Sequence, residues 1–324
     1  MIIITGGAGF IGSAIAAALN KRGVFDILIV DQLGQDEKWK NLRRLRYAEY
    51  MELDDFNEAA ADMERSWNVE AIFHMGACSD TAETDATYLV KNNYEFSKLL
   101  CGWALEIGAR FIYASSAATY GDGSQGFTDQ EEHLERLRPL NMYGYSKQML
   151  DLWIKNQGLL DEVVGLKYFN VFGPNEYHKG NMRSFVHKGF EQIRETGKVQ
   201  LFKSHRPDYE DGRQARDFLY IKDAVEMTLF FAEHPEANGI FNIGSGQARS
   251  WNDLARAIFE AMGKPVNIEY IPMPESLREK YQYFTQADIA KLRAAGCKNK
   301  ITPLETAVKD YVQQYLMKDA YLEP

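Results

Sequence analysis

Three side chains carry chemistry by type and spacing: Ser116, Tyr143 and Lys147. Tyr143-Gly-Tyr-Ser-Lys147 opens a helix-forming stretch, and positions four apart share a helix face. A phenol with a pKa near ~10 is a poor base at neutral pH. An ammonium one turn away favours the phenolate and lowers that pKa. The pair can then take a proton from a substrate hydroxyl while a hydride leaves the same carbon. A tyrosine and a lysine at this spacing are common on helices, so the pair alone decides nothing. The segment Ser115-Ser116-Ala-Ala-Thr-Tyr-Gly121 gives it meaning, because it stands at the carboxyl end of an apolar run over 110–115. From there Ser116 can hydrogen-bond the same substrate oxygen and stabilise charge developing on it.

A hydride needs an acceptor, and residues 1–12, Met-Ile-Ile-Ile-Thr-Gly-Gly-Ala-Gly-Phe-Ile-Gly, read as the place to hold one. The β-branched run Ile2 to Ile4 stops at glycines and flows into a helical pattern. Gly6 permits the turn, Gly9 lets backbone approach a pyrophosphate, and Gly12 lets the helix pack closely on the sheet. The helix N-terminus offers free N–H groups to phosphates. An acid about 20 residues on completes the pattern of a dinucleotide site. That acid is Asp31, closing the second apolar run 27–30.

The elements that must position these residues alternate. Strands are predicted at 2–5, 27–31, 47–52, 71–74, 110–115 and 163–169, and helices at 10–22, 54–65, 88–107 and 143–157. This βαβα order implies an α/β fold of Rossmann-like type, with a doubly wound parallel sheet covered on both faces. After Phe169 the texture changes. Residues 170–174 read as a turn, 181–194 as a helix, and 203–216 as a long charged loop. Strand-like 218–221, a helix from Asp223 and a further main-sheet strand at 240–243 follow, then helices near 286–294 and 302–316. The expected division is a dinucleotide-binding domain from 1–169 plus 217–244. A smaller α/β substrate-binding region comes from 170–216 plus 245–324.

Composition removes several classes. A formal charge of −9, from 37 basic and 46 acidic residues, argues against a general nucleic-acid surface. The three cysteines lack CxxC spacing, which predicts a reducing, cytoplasmic setting and no disulfide framework. The six histidines show no metal-ligand spacing, so no metal is expected. No basic stretch precedes the first apolar run, so residues 1–12 read as a strand and not a secretory leader. No window is apolar for the ~20 residues that a membrane span needs.

The motifs TGGAGFIG at 5–12, Asp31, HMGACSD at 74–80, NNY at 92–94, SSAATYG at 115–121, YGYSK at 143–147 and YFNVFGPNE at 168–176 resemble those of the extended short-chain dehydrogenase/reductase family. That family works on nucleotide-activated sugars with a tightly held nicotinamide cofactor. Its members include epimerases, dehydratases, decarboxylases and reductases. HKGNM at 178–182, FTQAD at 284–288 and LRAAG at 292–296 are similar to an epimerase of that family. The resemblance implies redox-neutral inversion of a sugar carbon, by loss of a hydride and a hydroxyl proton to give a ketone, then hydride return to the opposite face. The sugar must reorient, and two acid/base groups would serve the two orientations. Tyr143 is the first; by resemblance Lys179 is the second, with His178 beside it structural. Family dehydratases carry a carboxylate pair beside the Ser116 position, where Ala117 and Ala118 stand here. A net reductase would need an exchangeable cofactor, which the sequence leaves open. A dinucleotide sensor with a dead site should have lost Tyr143 or Lys147.

Binding residues are also implied by the resemblance. Gly6, Gly9, Phe10, Ile11, Gly12, Met75, Gly76, Ala77, Cys78, Ser79, Asn92, Lys147, Val171 and Lys179 should line the cofactor. Asp31 favours the ribose diol of NAD, whereas Lys38, Arg43 or Arg44 could pair with a 2′-phosphate. The resembled epimerase holds NADP at positions matching Asp31, Gln32 and Lys38, although Leu53 stands where it has another basic residue. NADP is therefore the reading, with NAD open. Ser116, Asn170, Asn181, Phe202, Lys203, Ser204, His205 and Tyr281 fall at substrate positions, and Arg216 could clamp a pyrophosphate bidentately. Lys188 stands where a substrate-contacting histidine is expected, with His187 adjacent. Residues 206–214 form a charged insertion before Arg216. A homo-oligomer, by resemblance a pentamer, is implied, with no nucleic-acid or membrane partner.

Overall fold

The computed structural model describes residues 1–61, 67–278 and 281–324. Seven parallel strands form the central sheet: β1 (Ile2–Thr5), β2 (Ile27–Asp31), β3 (Glu49–Glu52), β4 (Ala71–His74), β5 (Arg110–Ser116), β6 (Val164–Tyr168) and a strand from the second half. β7 (Asn170–Phe172), β8 (Val199–Phe202) and β9 (Ala215–Tyr220) stand apart from it, and β10 (Gly239–Ile243) is that seventh strand. The order is β10-β6-β5-β4-β1-β2-β3. From β1 the chain winds outward through β2 to β3, then returns to the other side of β1 as β4. Such a reversal opens a crevice at the carboxyl ends of the two central strands. The register pairs Thr5 with His74, so the loops after β1 and β4 leave the sheet side by side.

Every residue of β2, β4, β6 and β10 is buried, as a sheet covered on both faces requires, and their residues are mostly apolar. Successive residues face opposite layers. Ile4, Ile29 and Ile112 pack under α1 (Phe10–Lys21) and the later helix Ile221–Glu233, whereas Ile3, Leu28 and Tyr113 face the opposite layer. That layer includes α2 (Leu53–Ala61), α4 (Phe96–Glu106) and α5 (Met142–Asn156), with the short α3 (Ala86–Leu89) against α5. α3 runs into α4 through a wide π turn, Val90–Glu95. α6 (Phe185–Thr196) and α7 (Ile221–Glu233) follow, then β11 (Ala248–Ser250), α8 (Trp251–Ala261) and β12 (Ile268–Ile271).

The second half builds two small sheets, β11-β9-β7 and β12-β8. Neither was predicted. The turn expected at 170–174 contains β7, and the loop expected at 203–216 ends in β9, which begins at Ala215. The helix expected from Asn181 begins at Phe185, where Ser184 accepts from His187 N. Ahead of it lies a 3₁₀ turn, Tyr177–Met182. The helix expected over 286–294 spans only Ala290–Ala294, and that over 302–316 is Leu304–Asp310 opening into a π turn, Tyr311–Tyr315. The end of the helix expected over 54–65 lies outside the described residues.

Two glycines fix the loop after β1. Gly6 has φ +64°, and a Cβ there would meet Gly76 N at 2.6 Å. A Cβ on Gly12 would meet Gly6 O at 2.2 Å, so Gly12 packs on the glycine loop itself, whereas the sequence pattern implied packing on the sheet. Gly12→Ala must displace backbone, and it is expected to destabilise the fold by about 1–3 kcal/mol. Thermal denaturation checks this; an unchanged melting temperature would contradict the close approach.

Candidate active site

A cleft of about 640 Å³ opens at the carboxyl ends of the central strands. On one side lie Gly6, Gly9, Phe10, Ile11 and Gly12; on the floor, Val30, Asp31, Gln32 and Lys38. Met75, Gly76, Ala77, Cys78, Ser79 and Asn92 line the next stretch, then Ser116, Tyr143 and Lys147, and finally Val171, His178 and Lys179. Every predicted cofactor and acid/base position thus borders one cavity. Asn93, beside Asn92, is the clamp of this wall. Its amide accepts from Cys78 N at 2.9 Å and donates to Cys78 O at 2.9 Å and Ser146 Oγ at 3.1 Å. It sits in the π turn, a local widening that recurs at functional sites.

The cleft fits a dinucleotide. α1 begins at Gly9 with no side-chain cap and no acid in its first turn, so its N–H groups and partial positive charge face the cleft uncompensated. Asp31 is already engaged: it accepts from Ala8 N at 2.9 Å, Gln32 N at 2.7 Å and Lys38 Nζ at 2.8 Å. In this pair the Lys38 ammonium offsets the Asp31 carboxylate charge. Arg43 and Arg44 do not join it. Arg43 lies over the Trp39 and Tyr321 rings, Arg44 pairs with Glu323, and neither borders the cleft.

Ser116 ends β5, and its hydroxyl caps the following turn by accepting from Ala118 N at 3.1 Å. Asn141 caps α5 by accepting from Gly144 N at 2.8 Å, which brings Tyr143 and Lys147 onto the cleft. The nearby Ser116 hydroxyl favours the Tyr143 phenolate, but burial is the larger influence and pushes the phenol up. The sequence led us to expect Lys147 to lower that pKa. Instead Lys147 donates to Ala114 O at 2.8 Å, and burial brings its own pKa down to about 8, with Asp151 opposing.

Lys179 approaches from the 3₁₀ turn Tyr177–Met182, its ammonium 5.3 Å from the centre of the Phe10 ring. Burial lowers its pKa, and Glu176 opposes this. A lysine desolvated beside a cleft is poised for proton transfer in a way a solvated one is not. His178 shares a hydrogen bond with Asn41 at 3.4 Å, and burial lowers it to about 4, so it stays neutral near pH 7.

The predicted substrate residues other than Ser116 lie beyond this cavity, in two groups. Lys188 donates to Asn181 O at 3.3 Å, next to the Lys179 turn. Phe202, Lys203, Ser204 and His205 leave the end of β8 toward Arg216 on β9 and Tyr281. The Arg216 guanidinium is buried over the rings of Tyr281 (5.1 Å) and Trp251 (5.8 Å), and no carboxylate pairs with it among the described residues. Burial lowers its pKa. A buried cation without a counter-ion is costly, which an anionic ligand would relieve. Asn170, on β7 opposite Phe218 of β9, lies in the chain between Phe169 and Val171, which border the cleft. The insertion 206–214 is an anchored segment: Asp211 accepts from Ser204 N at 2.8 Å, Gly212 O from Asn252 N at 3.0 Å, and Tyr209 packs on Tyr283 at 4.8 Å.

Sequence reasoning missed Thr81 and Tyr88, which also border the cleft. The signal was Asp85, which caps α3 by accepting from Tyr88 N at 2.9 Å. Among the described residues no group of three or more His, Cys, Asp or Glu is placed to hold a metal ion.

The comparisons with known proteins agree with this geometry. A model of the NAD dependent epimerase/dehydratase family matches residues 2–244. ADP-L-glycero-D-manno-heptose-6-epimerase of Nitratidesulfovibrio vulgaris is 54% identical over 316 residues, 98% of each chain. The enzyme of that name from Fusobacterium nucleatum is 47% identical over 99% of this chain and 100% of its own length. The crystal structure of Helicobacter pylori ADP-L-glycero-D-manno-heptose-6-epimerase superposes with a TM-score of 0.80 at 27% identity, over 97% of this chain and 95% of that one. The chain belongs to the NAD dependent epimerase/dehydratase family.

Proposed function

We propose that this chain is an isomerase that inverts C6 of the heptose in ADP-D-glycero-D-manno-heptose, giving ADP-L-glycero-D-manno-heptose for the lipopolysaccharide core. The observation that carries the reading is the meeting of Tyr143 and Lys179, from α5 and from the turn after β7, on one cleft built for a dinucleotide. The names of relatives about half identical to this chain over nearly its full length support the substrate.

The cleft residues from Gly6 to Gly12, with Asp31 and Lys38, would hold a nicotinamide dinucleotide, which would supply the hydride acceptor and donor for C6. The chain's own residues handle protons and orientation. Tyr143, on the cleft with Ser116, takes the C6 hydroxyl proton in one orientation of the sugar, and Ser116 stabilises the oxygen as it becomes a carbonyl. After the heptose turns over, Lys179 returns a proton to that oxygen from the other side. Lys147, held by Ala114 O, would bind the cofactor from the α5 side of the cleft. Arg216, a buried cation with a planar fork, binds the substrate pyrophosphate, and Asn170, Asn181, Lys188 and the 202–205 segment with Tyr281 hold the sugar and its nucleotide. Residues 1–169 with 217–244 form the cofactor side, and 170–216 with 245–324 the substrate side.

NADP is the proposed cofactor, because Asp31 is neutralised and Lys38 keeps further donors for a 2′-phosphate. Lys38→Ala removes that donor and exposes the Asp31 charge, so both effects favour NAD. We expect NADP preference to fall by about tenfold or more, as loss of one charged hydrogen bond implies. The ratio of NADP to NAD released on denaturing the purified variant reads this, and an unchanged ratio would sink the assignment. A homo-oligomer, pentameric by resemblance, and a cytoplasmic location complete the proposal. No helix among the described residues is long and apolar enough to cross a membrane.

Proton NMR of ADP-D-glycero-D-manno-heptose mixed with purified protein, without added cofactor, tests the function. Approach to a mixture of both C6 epimers supports it. Untouched substrate with nicotinamide still on the protein would move the activity to another sugar nucleotide.

A further inference from the structure

We infer that Asp151, held in place by Lys167, is a positioning residue for Lys147, keeping it against the end of β5 and favouring its charged form. The inference rests on the proposed role of Lys147.

Asp151 lies one turn beyond Lys147 on α5, so the two share a helix face. That face meets β5 at three successive residues. Lys147 donates to Ala114 O at 2.8 Å, while Asp151 accepts from Tyr113 Oη at 3.0 Å and Ser115 Oγ at 2.8 Å. Lys167, directly opposite Ser115 on β6, donates to Asp151 at 2.6 Å and to Thr119 Oγ1 at 2.7 Å. Thr119 in turn donates to Ser116 O at 2.8 Å. The buried pair is therefore tied to both Lys147 and Ser116 through bonded neighbours. The sequence is built around this contact: a Cβ on Gly165 would meet Tyr113 Oη at 2.5 Å, so glycine there leaves the phenol free to reach Asp151.

A buried ion pair is weak evidence for stability, since apolar residues of similar shape do as well. Both Asp151 and Lys167 side chains have 0% exposure, and neither borders the cleft. What the pair supplies at this place is charge and register. The titratable groups facing Lys147 are Asp151 and Tyr143 on its own helix, His74 on β4 and Cys78 in the loop after β4. His74 is held neutral, its pKa lowered to about 3 by burial and by Lys147. Tyr143 is pushed up by burial. Asp151 is thus the main group opposing the desolvation that brings Lys147 down to about 8. Facing Asp151 itself are Tyr113 of β5, Tyr120 in the following turn and Lys167 of β6; burial keeps both phenols un-ionised.

Asp151→Asn strands Lys167, so the decisive variant is Asp151→Asn combined with Lys167→Met, which removes both charges; Tyr113 and Ser115 donate to different oxygens of Asp151, so the amide keeps an acceptor for one hydroxyl and offers the other an N–H donor. The readout is the titration of lysine side chains by ¹³Cε NMR, with the Lys147 signal identified by its loss in Lys147→Arg. In the folded double variant the Lys147 midpoint is expected to fall by about one pH unit, and the alkaline limb of kcat/KM to fall with it. A folded double variant whose Lys147 titrates as in the parent, with only a uniform loss of kcat, overturns the inference. Failure of the parent to epimerise the heptose would overturn the proposed function instead, and the NMR midpoint would still judge the pair.

Discussion

Tyr143→Phe is expected to lower turnover by about three orders of magnitude while changing substrate binding little. The variant keeps the ring that borders the cleft and deletes only the phenol hydroxyl. Proton transfer by a positioned side chain is worth about 10²–10⁴-fold, and the loss should fall wholly on kcat because the hydroxyl acts in the transition state. Burial raises the Tyr143 phenol, so phenolate, and turnover with it, is expected to grow as pH rises. Steady-state kinetics in both directions check this. A variant that retains more than about a tenth of parental kcat would remove Tyr143 from the chemistry.

Lys179→Met is expected to cost about 10²–10³-fold in conversion of either epimer. Inversion passes through both orientations of the sugar, so loss of the second acid/base group blocks the full reaction even with Tyr143 intact. The fold should survive. Glu176, the carboxylate facing Lys179, is already bonded to Ser184 N at 2.5 Å and Ser184 Oγ at 2.6 Å. The burial that lowers Lys179 also sets a pH signature. Its folded-state pKa lies below its ordinary value, so the neutral form gains weight at lower pH than in a free lysine. Turnover of the variant within about threefold of the parent would mean that Tyr143 serves both faces alone, and the two-group account would fail.

The central sheet was readable because its strands are unbroken apolar runs bounded by glycine or polar turns, as at Ile2–Thr5 and Ile27–Asp31. β7 was read as a turn because a three-residue strand, Asn170–Phe172, shows no period. β12 escaped because every residue of Ile268–Ile271 is only half-buried, so neither alternation nor a buried run marks it. The cofactor face was readable because each part is a contiguous motif after a strand end. The substrate side gathers Phe202, Arg216 and Tyr281 from distant segments, and only the resemblance pointed to them. Asp151 and Lys167 gave no signal at all. A charge on a helix and a lysine in a strand look solvated until packing places them face to face at 2.6 Å.

The most direct test of the central claim uses substrate carrying deuterium at C6, followed by NMR in ordinary water. Oxidation and return of one hydride at the same carbon predicts that both epimers keep the label at C6 through many turnovers. Loss of deuterium to solvent at the rate of inversion would mean that the carbon is deprotonated, and the oxidation–reduction account would be wrong.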